Sequence, residues 1–204
     1  AAGWAALERI VAGMPEDVLV IADAKRGDIG NTAKRYAKAM FEGLGAHAIT
    51  VAPYMGEDSV APFMDGYADR WTIVLALTSN AGADDFEFHG TPPLYERVVE
   101  RCQTWGSPDE LMFVVGATRP EQLRAIRSLA PDHFFLVPGV GAQGGCIEDV
   151  MEAGWIEGAG GLLINASRSI LYASDGEDYA AAAAAEAQKL QEATAPYFTR
   201  TASA

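Results

Sequence analysis

The sequence is poor in the residues that build disulfide frameworks and metal sites. Its 204 residues include two cysteines, Cys102 and Cys146, and three histidines that stand far apart. Two cysteines cannot form the framework of a small disulfide-rich domain, so free thiols in a reducing, cytoplasmic compartment are expected. No CxxC or Cys/His spacing typical of a metal site is present. The sequence therefore predicts no metal site.

Basic residues and long apolar runs are also scarce. Lys and Arg number 15 against 28 Asp and Glu, and the net charge of −13 disfavours a nucleic-acid partner, because phosphate neutralisation needs a basic field. No apolar run approaches the ~20 residues of a membrane span, so no membrane partner is expected. Half of the residues are apolar and 21% are charged, which is the profile of a soluble globular protein.

What is present is a regular alternation of helix-like and strand-like segments. Strands are predicted at Val18–Ala24, Ala46–Ala52, Thr72–Thr78, Leu111–Gly116, His133–Val137 and Gly161–Asn165. Helices are predicted at Gly3–Ala12, Thr32–Glu42, Asp58–Met64, Pro92–Trp105, Pro120–Leu129, Ile147–Ala153 and Tyr179–Ala193. No hairpin signal separates the strands, so parallel strands joined by helical crossovers are expected.

Two α/β architectures have this pattern, an open doubly wound sheet and an eight-stranded barrel. No Gly-rich dinucleotide fingerprint follows the first strand, which weakens the open-sheet interpretation. We therefore expect a (β/α)8 TIM barrel with only about six of its eight βα units in this chain. Residues 1–198 would form a single partial barrel domain containing strands 3–8 of the parent barrel, and residues 199–204 a tail.

Charged residues interrupt the first apolar run at its carboxyl end. Asp23 and Lys25 are two positions apart, so they point to the same face of the strand, at the end where barrel enzymes have their active sites. Asp28 follows at the start of the next loop, close enough for a second carboxylate to approach the same ammonium. The alternative is a surface ion pair, with Asp28 or Asn31 capping the next helix.

Two later loops have the composition of an anion site. Pro138–Gly145, after the fifth predicted strand, has four glycines that let the backbone approach an anion, and Gln143 can donate a hydrogen bond to it. Asn165–Ser169, after the sixth strand, contains Arg168, a fork-shaped and permanently charged donor. The alternatives are an ordinary glycine-rich connection and a surface arginine. If two strands are missing in front, these loops follow strands 7 and 8, which frequently hold phosphate in barrel enzymes.

These motifs, in this order, resemble those of the orotidine 5′-phosphate decarboxylase family. The resemblance covers about residues 3 to 198 and rests on Asp23–Ile29, Pro138–Gly145 and Ser167–Ser169, with support from Thr50–Val60 and Leu77–Asn80. The amino-acid sequence from Asp23 to Thr32 is similar to that of the mycobacterial-type branch in particular. The resemblance implies a TIM-barrel enzyme of pyrimidine biosynthesis that converts orotidine 5′-phosphate to UMP without metal or organic cofactor.

The resemblance also implies a role for each candidate residue. Lys25 would donate the proton that replaces the carboxylate, and Asp23 would lie near the departing group. Asp28 and Thr32 would serve the neighbouring site of a homodimer, Thr32 at the ribose. Ser79 would read the pyrimidine edge. Gln143 and Arg168 would bind the phosphate, and Pro138, Gly139 and Ser167 would also be substrate-binding residues.

The chain departs from the family pattern at its front. Family members carry an Asp at the end of the first strand and a Lys at the end of the second, and neither strand is found here. The chain is therefore expected to be amino-terminally truncated and inactive alone. Two other functions remain open: a Mg²⁺-dependent sugar-phosphate decarboxylase that shares the D-x-K-x-x-D pattern, and a non-catalytic, phosphate-binding remnant. Ser79 and Gln143 favour the nucleotide enzyme.

Overall fold

A computed structural model describes residues 1–141 and 144–200 and contains the six expected strands. They are β1 (Ile21–Arg26), β2 (Ala48–Val51), β3 (Trp71–Leu77), β4 (Leu111–Val115), β5 (Phe135–Pro138) and β6 (Leu162–Asn165). Hydrogen-bonded neighbours follow the chain order β1-β2-β3-β4-β5-β6, and the strands run parallel. A parallel sheet in chain order requires a crossover after every strand, which confirms the predicted α/β pattern.

Helices fill the connections. They are α1 (Ala2–Ala12), α2 (Gly30–Lys38), α3 (Glu57–Val60), α4 (Leu94–Cys102), α5 (Pro120–Leu129), α6 (Ile147–Gly154), α7 (Arg168–Leu171) and α8 (Tyr179–Arg200). A π-helix at Ala39–Gly43 continues α2, and 3₁₀ turns lie at Ala61–Phe63 and Ala81–Asp85. The short helix α7 was not predicted. Helix α8 runs past the predicted end at Ala193 and contains Pro196.

The first strand begins later than its apolar residues predicted. Val18 and Leu19 lie outside β1 and are 40% and 41% exposed. The backbone N–H of Val20 donates to Nδ1 of His47 at 2.9 Å, so a side chain takes the place of a strand partner. Strand β1 also ends later than predicted, at Arg26 and not at Ala24, so Asp23 and Lys25 lie within it.

The chain divides into two compact units. The first consists of Ala1–Leu75 and Arg101–Met112, and the second of Ala76–Glu100 and Phe113–Ala204. In the first unit α2 packs through small residues, Ala33 and Ala37, which are fully buried. The core of the second unit is built from large apolar side chains, among them Phe113, Leu123, Ile126, Phe135 and Met151. The prediction of one domain over residues 1–198 stays a prediction.

Arg127 of α5 ties several loops of the second unit together. Its guanidinium donates to the backbone carbonyls of Gly154 (2.8 Å), Ala130 (3.0 Å), His133 (2.6 Å) and Gly161 (2.9 Å). It also lies 3.7 Å from the centroid of the Phe135 ring, a cation–π contact. Burial lowers the pKa of Arg127 to about 10, so the side chain remains a cation at neutral pH.

None of the helices in residues 1–141 and 144–200 combines the length and apolar character needed to cross a membrane.

Candidate active site

Asp23 and Lys25 meet on one face of β1, as strand alternation predicted. The Lys25 Nζ atom lies 2.5 Å from Asp23 Oδ1, and the two side chains are 52% and 60% exposed. Two opposite charges at this distance form a charge-assisted hydrogen bond. An ammonium and a carboxylate are thus held side by side at the surface of the first unit.

The backbone of Lys25 has an uncommon conformation. Its φ angle is +46°, and it is the one non-glycine residue with positive φ in the part of the chain that the structure describes. Pairing of β1 with β2 also changes register between Ala22 and Arg26. A side chain beyond glycine pays a steric cost in this region of backbone space, and such strain clusters at functional sites.

Thr50 of β2 contacts both members of the pair and was not predicted as a site residue. Its hydroxyl donates to Asp23 Oδ1 and accepts from the backbone N–H of Lys25, each at 2.9 Å. Thr50 is fully buried. The signal in the sequence was a single hydroxyl residue within the apolar strand Ala48–Val51.

Asp28 does not join this pair within the chain. It is half-buried, and its Oδ1 accepts from the backbone N–H of Ile29 at 2.8 Å. Among residues 1–141 and 144–200, its carboxylate makes no ion pair with Lys25, contrary to the predicted approach. The capping alternative is wrong, because Ile29 is the N-cap of α2 and neither Asp28 nor Asn31 makes a side-chain cap hydrogen bond to this helix. Thr32 lies exposed in the first turn of α2.

Ser79 follows β3 in the second unit and is half-buried. Gly116, just after β4, lies against it: a Cβ atom on Gly116 would be 2.9 Å from Ser79 N and 3.0 Å from Ser79 Cα and Cβ. Only a glycine leaves room for the Ser79 backbone at this point. Gly116 was not predicted as a site residue, although its position at the end of the predicted strand Leu111–Gly116 was a signal.

The residue before Ser79 is held by a carboxylate. Glu87 accepts from the backbone N–H of Thr78 through Oε2 and from its hydroxyl through Oε1, both at 2.7 Å. The backbone of Glu87 is itself anchored, because its N–H donates to Ala83 O and its carbonyl accepts from Tyr95 N. The position of Ser79 is thus determined by Gly116 on one side and by the Glu87 contact to Thr78 on the other.

The two candidate phosphate loops are neighbours in the second unit. Pro138 and Asn165 are paired in register, so β5 and β6 end side by side. Ser169 Oγ lies 4.0 Å from the point where a Cβ on Gly141 would stand. Sequence positions about thirty residues apart are therefore adjacent, as the prediction of a shared anion site requires.

The glycines of the first loop shape its backbone. Gly139 has a φ angle of +98°, which favours glycine. Gly141 N donates to Gly145 O at 3.0 Å, and Gly145 N donates to Gly139 O at 3.2 Å. These N–H groups close the loop on itself, which leaves less of its backbone for an anion than the composition suggested. Gln143 lies outside the described residues.

Arg168 begins the short helix α7, and Ser167 is its N-cap. The side chain of Arg168 is exposed and has no carboxylate within ion-pair distance among the residues described in the structure. Within these residues, the positive charge of Arg168 is therefore not neutralised by a structural ion pair. No group of three or more His, Cys, Asp or Glu side chains in the same part of the chain has the geometry of a metal site.

Comparison with known proteins agrees with these features. Residues 4–184 match the sequence model of the family described as "Orotidine 5'-phosphate decarboxylase / HUMPS family". The chain belongs to this family. It is 52% identical over 195 residues to the orotidine 5′-phosphate decarboxylase of Christiangramia forsetii, covering 93% of this chain and 71% of that protein. It is 54% identical over 178 residues to that of Porphyromonas gingivalis, covering 86% and 64% respectively.

Solved structures of the family have the same fold. The chain superposes on the Leishmania donovani OMP decarboxylase with a TM-score of 0.83 at 41% identity, covering 95% of this chain and 75% of that one. For the Methanocaldococcus jannaschii orotidine 5′-monophosphate decarboxylase complexed with the inhibitor BMP, the TM-score is 0.72 at 28% identity, covering 92% and 80%. The six parallel strands match the TIM-barrel fold of the family, and the expected six of eight units agree with this. The mycobacterial-type branch and the truncation stay predictions.

Proposed function

We propose that the protein decarboxylates orotidine 5′-phosphate to UMP. The observation that carries the proposal is the Lys25 ammonium lying 2.5 Å from the Asp23 carboxylate, within a chain that belongs to the decarboxylase family. Relatives about half identical to it bear this name. The Ser79 position and the Arg168 side chain support a nucleotide substrate with a phosphate group.

The chemistry needs one proton donor and one well-placed negative charge. When the bond between C6 and the carboxylate breaks, its electron pair stays on C6, and Lys25 Nζ supplies the proton of the new C6–H bond. The Asp23 carboxylate, close to the substrate carboxylate, disfavours the bound substrate more than the transition state, in which that charge leaves as CO₂. Asp23 thus favours departure of the carboxylate, and Lys25 protonates the carbon that the carboxylate leaves.

Binding of the phosphate is assigned to the two neighbouring loops. Pro138 is the last residue of β5 and Gly139 follows it. Ser167 and Arg168 belong to the other loop, in which Arg168 supplies the positive charge. Gln143 is assigned to this group by resemblance. A phosphate held far from C6 provides binding energy that helps to organise the site for the transition state.

A homodimer is part of the proposal, with Asp28 and Thr32 serving the neighbouring site. Support comes from Asp28, whose carboxylate does not pair with Lys25 in its own chain, and from the exposed position of Thr32. Mixing inactive Lys25→Ala with inactive Asp28→Ala subunits tests this. Exchange of subunits should restore about a quarter of wild-type turnover, because half of the dimers then contain one intact site. No restored turnover after verified subunit exchange would contradict the shared site.

Release of CO₂ from orotidine 5′-phosphate tests the proposed function directly, with protein expressed from its complete coding sequence. We expect turnover that persists after dialysis against EDTA. Loss of activity on chelation would favour the Mg²⁺-dependent sugar-phosphate decarboxylase. Absence of both turnover and UMP binding would favour the non-catalytic remnant.

Three finer assignments belong to the same proposal. The amino-acid sequence of Asp23–Thr32 supports assignment of the protein to the mycobacterial-type branch. The resemblance implies a network of four charged residues: Asp23, Lys25, and an Asp and a Lys at the ends of two further strands. The coding sequence upstream of Ala1 tests whether such strands provide these two residues. A reducing, cytoplasmic location is supported by Cys102 and Cys146, which are both free thiols.

A further inference from the structure

We propose that Thr50 is a positioning residue for the Lys25–Asp23 pair, with one buried hydroxyl setting both the backbone of Lys25 and the carboxylate of Asp23. This inference rests on the proposed function and adds a role for Thr50, which the sequence indicated only as the first residue of the segment Thr50–Val60.

The direction of both hydrogen bonds follows from the groups themselves. The backbone N–H of Lys25 can only donate, and an ionised carboxylate can only accept. The Thr50 hydroxyl, at 2.9 Å from each, therefore accepts from Lys25 N and gives its single proton to Asp23 Oδ1. Because the residue is fully buried, water does not compete for either bond. Hydrogen bonds in such a chain polarise and strengthen one another.

The first bond explains how Lys25 keeps its unusual backbone conformation. Between Ala22 and Arg26 the pairing of β1 with β2 loses its regular register, and Lys25 has a φ angle of +46°. The Thr50 side chain takes the Lys25 N–H that a regular ladder would give to a backbone carbonyl. Without this acceptor, the buried side of Lys25 would hold an unpaired donor, and the strained conformation would lose a partner that stabilises it.

The second bond orients the carboxylate. Thr50 Oγ1 and Lys25 Nζ both contact the same oxygen of Asp23, Oδ1. No residue in the described part of the chain donates a hydrogen bond to Oδ2. Thr50 thereby determines which carboxylate oxygen holds the ammonium and which one is turned towards the substrate. Both charged side chains are about half exposed, so their torsion angles are free to change. The hydrogen bond from Thr50 restricts the conformations that the pair can adopt.

A second buried threonine provides a matched control. Thr72, on the neighbouring strand β3, is also fully buried, but its hydroxyl has no hydrogen-bond partner among the residues that the structure describes. Thr72→Val therefore removes the same atom from the same kind of site without removing a contact. Thr50→Val removes both bonds with little change of shape, and Thr50→Ser retains the hydroxyl.

The experiment measures steady-state kinetics with orotidine 5′-phosphate and amide hydrogen exchange at Lys25 for the wild type and the three variants. In Thr50→Val we expect kcat to fall roughly 10- to 100-fold with KM within about threefold, because positioning is lost while substrate binding is not. Exchange at the Lys25 amide should rise by about tenfold or more as its acceptor is removed. Thr50→Ser should restore both quantities to within about threefold of wild type, and Thr72→Val should change neither.

The outcomes separate this inference from the proposed function. A Thr50→Val protein that is folded and keeps wild-type kcat overturns the positioning role, as does a Thr72→Val protein with an equal loss. If Thr50→Val fails to fold, the Thr50→Ser variant decides: preserved kcat and exchange support the role, and a loss as deep as deletion of Lys25 overturns it. If the wild type releases no CO₂, the proposed function fails. Amide hydrogen exchange at Lys25 then tests the role of Thr50 by itself. Faster exchange in Thr50→Val supports the role, and unchanged exchange overturns it.

Discussion

At the scale of single residues, Lys25 and Arg168 are cations that do different things. Lys25 is paired with Asp23 at 2.5 Å and sits on a strained backbone, whereas Arg168 is exposed and has no ion pair within residues 1–141 and 144–200. A cation already held by a carboxylate is placed for chemistry at one atom. An unpaired guanidinium beside a glycine-rich loop is available for a ligand phosphate.

The two residues should therefore separate turnover from binding. Lys25→Ala should reduce kcat by at least about 10³-fold while the UMP dissociation constant stays within about threefold, because the proton donor is removed and the phosphate contact is not. Arg168→Ala should weaken UMP binding by about 10- to 100-fold, through loss of a charge-assisted contact. Calorimetric titration with UMP and a CO₂-release assay measure both.

Lys34→Ala and Arg124→Ala are the matched controls for this pair, since both side chains are exposed on helices. Neither change should alter turnover or affinity. Wild-type turnover in Lys25→Ala, or wild-type affinity in Arg168→Ala, would remove the role assigned to that residue.

At the scale of elements, the loop after β3 depends on its neighbours. Glu87 holds Thr78, and Gly116 after β4 leaves room for Ser79. Ser79 is thus positioned by contacts that come from two different connections. A change at either contact should reach Ser79 even though neither residue needs to touch the substrate.

Gly116→Ala tests this dependence, because its Cβ would lie 2.9 Å from Ser79 N. We expect a loss of about 1–3 kcal/mol in unfolding free energy from the forced shift. We also expect at least an approximately tenfold lower kcat/KM from displacement of Ser79. Thermal unfolding and steady-state kinetics provide the measurements.

Gly3→Ala is the control substitution, since a Cβ at Gly3 in α1 meets nothing within 4 Å. It should leave kcat/KM unchanged and stabilise α1 slightly. A Gly116→Ala protein with wild-type melting temperature and kinetics would show that Ser79 is not restrained by this contact.

At the scale of the whole molecule, stability should depend on pH through a buried histidine. His133 is 4% exposed and its ring packs against Phe113. Within residues 1–141 and 144–200, neither of its ring nitrogens has a hydrogen-bond partner. Burial lowers the pKa of His133 from its usual 6.5. Arg127 nearby lowers it further, and the Asp132 carboxylate acts in the opposite direction. The folded protein therefore prefers the neutral imidazole.

The sign of the pH effect follows from this lowered pKa. Above pH 6.5, His133 is neutral in the folded and unfolded states, and its contribution to stability is fully present. As the pH falls below 6.5, the unfolded chain binds a proton that the folded protein resists, so the unfolding free energy decreases.

Urea unfolding at several pH values between 7.5 and 5 measures the slope. His133→Leu should make the dependence flatter, and the exposed His89→Leu should leave it unchanged. Equal slopes for the wild type and His133→Leu would show that other groups account for the acid sensitivity.

Apolar pattern was sufficient to indicate the six strands and to predict that they are parallel, because strands covered by helical crossovers are largely apolar. The same pattern misplaced the start of β1. Val18 and Leu19 are apolar but exposed, and the side chain that ends the strand pairing at Val20 belongs to His47, 27 residues further on.

The sequence by itself indicated the candidate residues for the chemistry. Asp23 and Lys25 were placed together by the two-residue period of a strand, and Arg168 was indicated by its residue type beside a predicted strand end. Only the tertiary structure decided how these residues are held. Thr50 is 27 residues away from Asp23 in the sequence, and Gly116 lies against Ser79 from just after β4. The physical reason is that side-chain direction along a strand is a local property. A hydrogen-bond partner on a neighbouring strand depends on register, which is settled only when the sheet forms.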